Sequence, residues 1–363
     1  MRILVDCAGA RMGGAKRLLT EFDVYQRTAC PPELKVIGRD RAVRVPWLLR
    51  REITDGRVDR AVALNNVGFL VAGRERHVLV HGAQHFLRHD EARTFGSLIS
   101  PAAHAQAPVV RMAVRRADRV FVPSTSMAER VVHAVPSVRD RIVIAYNPVT
   151  PPDPSAGVAR GSHGDGDGEQ PMKILCPLLF SPHKRMADHL RVALAALDLL
   201  AAPPHPVEAV LTVTERASHP EAGPLAGHPR LRLIGPQSPA TVTDMLARSD
   251  AVYFPSEFES FGYPLAEGRV MGVPVVALDS PHNREIAGAA LTPYPRESPD
   301  EVASAIIAAL TAEVRPDQSG LFDRGPYFDR LLGLRSGSTS TEVGATRSRS
   351  RRSRSSRSRP SRS

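Results

Sequence analysis

Ten short apolar runs punctuate this chain, most of them followed by a longer stretch at helical spacing, and this alternation restricts the fold more than any other feature. Runs of about four to eight residues separated by helical patterns are what strand–helix–strand units and parallel sheets require. The expected fold class is therefore α/β. The strand candidates of the first half are RILVD (2–6), RAVALN (60–65), HVLVHG (77–82), RVFVPS (119–124) and RIVIAYN (141–147), with helical segments at 16–26 and 109–117. The second half repeats the scheme with KILCPLLF (173–180), EAVLTVT (208–214), LRLIG (231–235), AVYFPS (251–256) and VPVVALD (273–279), and with helices at 186–200, 240–248, 264–271 and 300–310. Between them, 148–171 is rich in Pro, Gly, Ser and Asp and reads as a connector that cannot bury a core.

At 363 residues the chain exceeds what one core usually supports, roughly 250–300 residues, so two domains are expected, 1–147 and 172–335. The formal charge of +10 is concentrated at one end. From 336 to 363 there are eight arginines against one acid, Glu342, a net +7 that leaves +3 on the rest. That Arg/Ser tail has no periodicity and reads as disordered. Three cysteines, Cys7, Cys30 and Cys176, have no zinc or redox spacing and suit a reducing compartment. No signal-like or membrane-spanning apolar run is evident, so the cytoplasm is the expected location.

The stretch FPSEFESFGYPLAEGRVMGVPVVALD (254–279) carries the chemistry. It places a turn after a strand, then Pro264 at the first position of a helix, where its fixed φ is favoured. The carboxyl edge of an open α/β sheet is where ligands bind. Backbone amides at Ser260, Phe261, Gly262 and Tyr263, with the helix start behind them, would suit a phosphate or diphosphate. Two carboxylates, Glu259 and Glu267, would repel an anion but accept hydroxyls, and one carboxylate can take both hydrogens of a cis-diol such as ribose. Hydroxyls at both ends with phosphates between describe a nucleotide sugar.

This window resembles the E-x7-E segment of the retaining GT-B glycosyltransferases of family 4, with Ser260 standing where that pattern carries glycine. The resemblance implies two Rossmann-like domains whose parallel sheets face each other across a cleft. It implies a nucleoside-diphosphate sugar as donor substrate, no cofactor and no metal, with Glu267 on the ribose and Glu259 on the donor sugar. PLLFSPHKRMADHL (177–190) resembles the family's diphosphate-binding segment, with Lys184 matching its lysine, Leu179 in place of its arginine and Arg185 a candidate substitute. GGAKR resembles the family's first-domain glycine loop, which makes Gly13, Gly14 and Arg17 donor-binding candidates. His81, at the end of HVLVHG, matches a first-domain histidine that reaches the donor sugar, here followed by Gly82; His85 and His89 are secondary candidates. Asn65 and Asn66 could line the same cleft or simply form turns.

Other motifs point elsewhere and are discounted. DGDG at 165–168 mimics a metal-binding D-x-D but lies in the connector, and no nucleophile elbow G-x-S-x-G is present. The expected activity is thus metal-independent hexosyl transfer from a nucleotide sugar to an acceptor that the sequence does not name, with retention of anomeric configuration. The alternatives are an inactive scaffold of the same fold, suggested by the departures at Leu179, Ser260 and Gly82, and a binder of anionic surfaces or nucleic acid through the tail. Nucleic acid is disfavoured because the tail lacks aromatic residues; peripheral contact with an anionic membrane at the inner face is the remaining partner expectation.

Overall fold

The computed structural model describes residues 1–9, 13–29, 33–53, 56–151, 171–178, 180–181, 184–203 and 206–334. The tail at 336–363, residues 152–170 of the connector with their DGDG segment, Cys30 and Leu179 lie outside the described residues.

Two parallel sheets organise the chain. The first contains β1 (Ile3–Asp6), β2 (Leu34–Ile37), β3 (Arg60–Ala63), β4 (Glu75–Leu79), β5 (Arg119–Val122) and β6 (Ile142–Ile144) in the order β2-β1-β3-β4-β5-β6. The second contains β7 (Met172–Cys176), β8 (Ala209–Val213), β9 (Leu231–Leu233), β10 (Ala251–Phe254), β11 (Val275–Leu278) and β12 (Leu291–Tyr294) in the order β12-β11-β10-β7-β8-β9. All ten predicted runs contain strands. The central ones are apolar and buried because helices cover both faces, which removes the polar alternation of a one-sided sheet.

The strands that sequence patterning missed, β2 and β12, are both edges. β2 is half-buried and carries Lys35 in its middle; β12 includes Pro293, which cannot donate to a ladder and is tolerated at a sheet edge. Edge position alone does not hide a strand, since the edges β6 and β9 were read; in β2 and β12 Lys35 and Pro293 interrupt a short apolar run. The helix expected from 109 begins earlier, as Pro101–Arg116, because Ser100 caps it by accepting from the Ala103 amide at 3.3 Å despite Pro108 inside.

Strand order places the site. In the second sheet β7 lies between β8 and β10, so the chain leaves β7 toward one side and returns to β10 on the other. The carboxyl ends of β7 and β10 therefore flank a crevice, as at any topological switch point of an open α/β sheet. β1 and β3 form the equivalent point in the first sheet.

One part of the domain expectation needs correction. The helix Arg324–Leu332, expected within the second domain, packs on the first sheet and its first helix. Tyr25 donates to Asp329 at 2.6 Å, His77 Nδ1 donates to the Leu331 carbonyl at 2.7 Å, and Tyr327 and Phe328 sit in a core with Phe22 and Tyr25. The apolar face of this helix has its complementary surface on the first domain, whatever its place in the chain. Among the described residues no helix is long and apolar enough to cross a membrane.

Candidate active site

Lys184 stands in the turn that follows β7, with its amide bonded to the Ser181 carbonyl at 2.8 Å. The next residue, Arg185, is the only non-glycine at positive φ (49°) among the described residues, and it caps the helix Met186–Leu200. A left-handed arginine is an uncommon and strained backbone state, and such states concentrate where geometry serves a site. This turn aims the Lys184 ammonium at Glu259, Nζ to Oε1 2.5 Å, across the crevice from the β10 side. Ser256 Oγ donates to the same oxygen at 2.9 Å. Burial pushes the Glu259 carboxyl up, but Lys184, Ser256 and His282 pull harder and hold it below the usual value. Arg185 itself is exposed and pairs with Asp188 at 3.5 Å.

Behind Glu259 the chain turns sharply at Gly262, with φ +79°. A β-carbon there would stand 2.9 Å from both Leu265 and the Phe254 ring, so only glycine fits. The helix Tyr263–Met271 then follows, with Pro264 as its second residue, one place later than the first position expected. Among the described residues the amides of Ser260, Phe261, Gly262 and Tyr263 meet no acceptor, which leaves a cluster of donors at a helix start. Phe261 is a core residue, edge-on to Tyr263 at 5.1 Å.

Glu267 is 1% exposed on the same helix. Burial raises its carboxyl pKa, opposed by Arg17, which reaches over from the helix Gly13–Ala29 of the first domain and forms an ion pair with it. Arg17 Nη2 also donates to Thr243 Oγ1 at 2.6 Å, and the guanidinium lies over the Tyr263 ring at 5.6 Å. Gly14 faces that ring too: a β-carbon at Gly14 would lie 3.3 Å from it, so the glycine permits the two domains to meet. Gly13 has φ +56° and open space around it. The Tyr263 hydroxyl is buried with no hydrogen-bond partner among the described residues, an unsatisfied donor beside Glu267 and Arg17.

The first domain grips the Glu259 turn directly. Ser124 Oγ donates to the Ser260 carbonyl at 2.8 Å, and Arg130 Nη1 donates to the Glu259 carbonyl at 3.2 Å while its guanidinium covers the Phe258 ring at 5.2 Å. Arg130 is held by buried Glu91, at 2.9 Å from Nε and 2.5 Å from Nη2. Thr125 donates through its amide and hydroxyl to Glu285 of the second domain at 2.9 and 2.8 Å, and Tyr146 donates to the same oxygen at 3.0 Å. His282 donates to the Phe261 carbonyl at 3.2 Å and stands near Glu259.

On the first-domain side, His81 follows β4, half-buried, with its amide bonded to Asn66 Oδ1 at 2.8 Å. Burial and neighbouring His85 lower its pKa to about 4, so the imidazole is neutral. Asn66 also accepts from the Gly82 amide at 2.7 Å, and a side chain at Gly82 would collide with Asn66 and His85. The departure at Gly82 is thus a packing requirement. Asn65 donates to buried Asp6 at 3.0 Å, which also takes Arg51 at 2.5 Å, so Asn65 belongs to a structural network under the first sheet's crevice. His89 opens an exposed helical turn.

Glu259, Glu267, Lys184 and Arg17 are thus brought to one crevice, while Arg185 turns to Asp188. Thr243, Arg130, Ser124, Glu285 and His282 went unrecognised in the sequence. Their partners lie from 21 residues away, for His282 and Phe261, to 226, for Thr243 and Arg17, and no linear spacing encodes them. Tyr263 lay inside the quoted window and could have been singled out as a buried phenol at a helix start.

Residues 179–312 match the model of the family described as Glycosyl transferases group 1. A search of the curated proteins found no match. Among solved structures, WaaG, a glycosyltransferase involved in lipopolysaccharide biosynthesis, superimposes with TM-score 0.58 at 16% identity, covering 92% of this chain and 94% of its own. Anabaena Alr3699/HepE in complex with UDP-glucose gives 0.56 at 16% identity, covering 92% and 95%. A putative UDP-N-acetylglucosamine 2-epimerase from Listeria monocytogenes gives 0.50 at 13% identity, covering 92% and 94%. What these share is the fold, and the chain has it: GT-B, with two Rossmann-like units facing each other across a cleft.

Proposed function

We propose that this protein is a glycosyltransferase that moves a hexose-type sugar from a nucleoside-diphosphate sugar to an acceptor, with retention of anomeric configuration and without metal or other cofactor. The observation that carries the reading is the pairing of Lys184 with Glu259 across the switch point of the second sheet, beside the amides of 260–263, which meet no acceptor among the described residues, and the buried carboxylate of Glu267. The matched region, 179–312, contains all of these residues and favours transfer over epimerisation, which the fold alone does not. HepE, bound to UDP-glucose, supports a nucleotide sugar as ligand class.

In this reading Glu267 accepts the ribose hydroxyls and the 260–263 amides receive the diphosphate at the helix start. Tyr263 then finds the partner that its buried hydroxyl lacks. Lys184 meets the charge that grows on the departing diphosphate, a contribution of about 2–4 kcal/mol in comparable preorganised sites. Glu259, kept ionised by Lys184, accepts hydroxyls of the donor sugar. The protein's share of catalysis is positioning and leaving-group stabilisation.

Incubation of the purified protein with a panel of nucleotide sugars, followed by proton NMR of the released sugar, tests the proposal. Slow hydrolysis of one donor, with the first-formed anomer matching the donor, is the expected result. Release of the opposite anomer would overturn retention, and neither binding nor hydrolysis of any donor would favour an inactive scaffold.

A further inference from the structure

A second concave surface lies at the outer edge of the first sheet. It is a groove of about 880 Å³ running along β1 and β2 and lined on its far side by Trp47, Arg50, Arg51, Ile53, Arg57 and Val58. The helix after β2 is only six residues long, Val45–Arg50, too short to cover the sheet face as a full crossover helix would. The volume is that of a ligand site.

Its lining is strongly cationic. Seven cations line it: Arg39 and Arg51, engaged by Asp23 and Asp6, Arg57, 3.8 Å from Asp59, and Arg2, Lys35, Arg41 and Arg50. The acidic residues in the lining are Asp40 and Glu33, and Glu33 pairs with the amino group of Met1 at 2.7 Å. Trp47, the one tryptophan of the chain, lines the groove and lies 6.0 Å beneath the Arg41 guanidinium.

Ile53, in the lining, continues an exposed apolar row on the short helix that also bears Trp47 and Arg50 of the lining. Val45, Leu49 and Ile53 recur at every fourth position and are 68%, 67% and 81% exposed. They form a stripe on the outward side of the short helix and the turn after it, flanked by the exposed Arg44 and Arg50. An outward apolar stripe between cations, on an element that also lines a cationic groove, is the pattern of an element lying in a bilayer interface, where arginine and lysine stems run along the apolar boundary and their charges meet lipid phosphates.

We propose that this face docks the protein onto an anionic phospholipid bilayer, with a headgroup phosphate received in the groove and Val45, Leu49 and Ile53 set into the acyl boundary. The charge selects the anionic lipid and the apolar stripe selects a bilayer over a free phosphate. The surface lies at the β2 edge and does not depend on the reading of the cleft.

The test is flotation of the full-length protein with vesicles of phosphatidylcholine alone or mixed with phosphatidylglycerol, the 336–363 tail being common to every form compared. Wild type is expected to float with the mixed vesicles only, and less at high salt. Near such a surface each cation contributes roughly a fivefold change in partitioning, so the Arg50→Glu/Arg57→Glu double variant should lose more than about tenfold. Leu49→Asp/Ile53→Asp should lose a similar amount while keeping the wild-type melting temperature and nucleotide-sugar turnover, since these side chains are exposed and outside the cleft. Wild-type flotation by either double variant, or indifference of the wild type to phosphatidylglycerol, would overturn the proposal. So would concentration-dependent self-association abolished by Leu49→Asp/Ile53→Asp, which would assign the stripe to a second copy. Binding of soluble glycerol 3-phosphate in the groove without flotation would overturn the bilayer in favour of a small anion.

Discussion

Arg17, on the opening helix of the first domain, holds the buried carboxylate of Glu267 in the second and donates at 2.6 Å to Thr243 beside it. In the proposed reading a ribose diol on Glu267 would share the carboxylate with Arg17, which would link nucleotide affinity to the closeness of the domains. The same carboxylate titrates under opposing influences, burial raising its pKa and Arg17 restraining the rise.

Nucleotide affinity should therefore climb with pH as Glu267 ionises, and Arg17→Ala should move that climb upward by removing the restraint. The sign for folding is the reverse. A carboxyl whose folded pKa lies above its unfolded value stabilises the native state below the unfolded pKa and loses that contribution as pH rises through the folded one. Calorimetry with UDP and other nucleoside diphosphates between roughly pH 5 and pH 8 checks the first claim, and melting curves over the same range check the second. A pH profile identical in wild type and Arg17→Ala would remove the link between them.

Glu267→Gln should weaken free nucleoside diphosphate and intact donor alike, by ~1.5–3 kcal/mol, because both carry the ribose. Glu259→Gln should weaken the intact donor more than the free nucleotide, because its proposed partner is the sugar. The two ligands measured side by side on both variants separate the roles; equal losses in Glu259→Gln would end the division of labour.

Lys184→Ala should lower kcat by more than it raises the donor Kd, since the charge it meets grows toward the transition state. The expected loss in turnover is about 100- to 1,000-fold, the effect of removing one preorganised electrostatic group. A variant with wild-type turnover and weakened binding would reduce Lys184 to a ground-state contact.

Arg130 joins buried Glu91, the Phe258 ring and the Glu259 carbonyl, so it ties the turn that bears Glu259 to the first domain. Arg130→Met should cost about 1–3 kcal/mol of stability, because buried Glu91 then keeps only Arg88, at 3.1 Å, as a cation. Adding Glu91→Gln should recover part of that stability but not donor turnover, since the hold on the Glu259 turn stays broken. Denaturant unfolding and steady-state kinetics on the single and double variants decide it; recovery of both together would make Arg130 purely structural.

Much of this was legible in the linear order of residues. Apolar runs report burial by neighbours within a strand or a turn, so the buried central strands were readable while the edges β2 and β12, whose short runs Lys35 and Pro293 interrupt, were not. The spacing of Glu259, Gly262, Pro264 and Glu267 was readable for the same reason: a turn and the helix following it fix these positions locally, and Gly262 answers a steric demand of its own turn. The return of the helix Arg324–Leu332 to the first sheet could not be read, because its apolar face says that it packs but not on what. Nor could the pairings of Arg17 with Glu267, Arg130 with the Glu259 carbonyl, or Thr125 with Glu285, whose members lie in different domains. Local periodicity follows from the geometry of a single element, whereas a contact between domains depends on the placement of every element between them, and that placement is settled only when the whole chain packs.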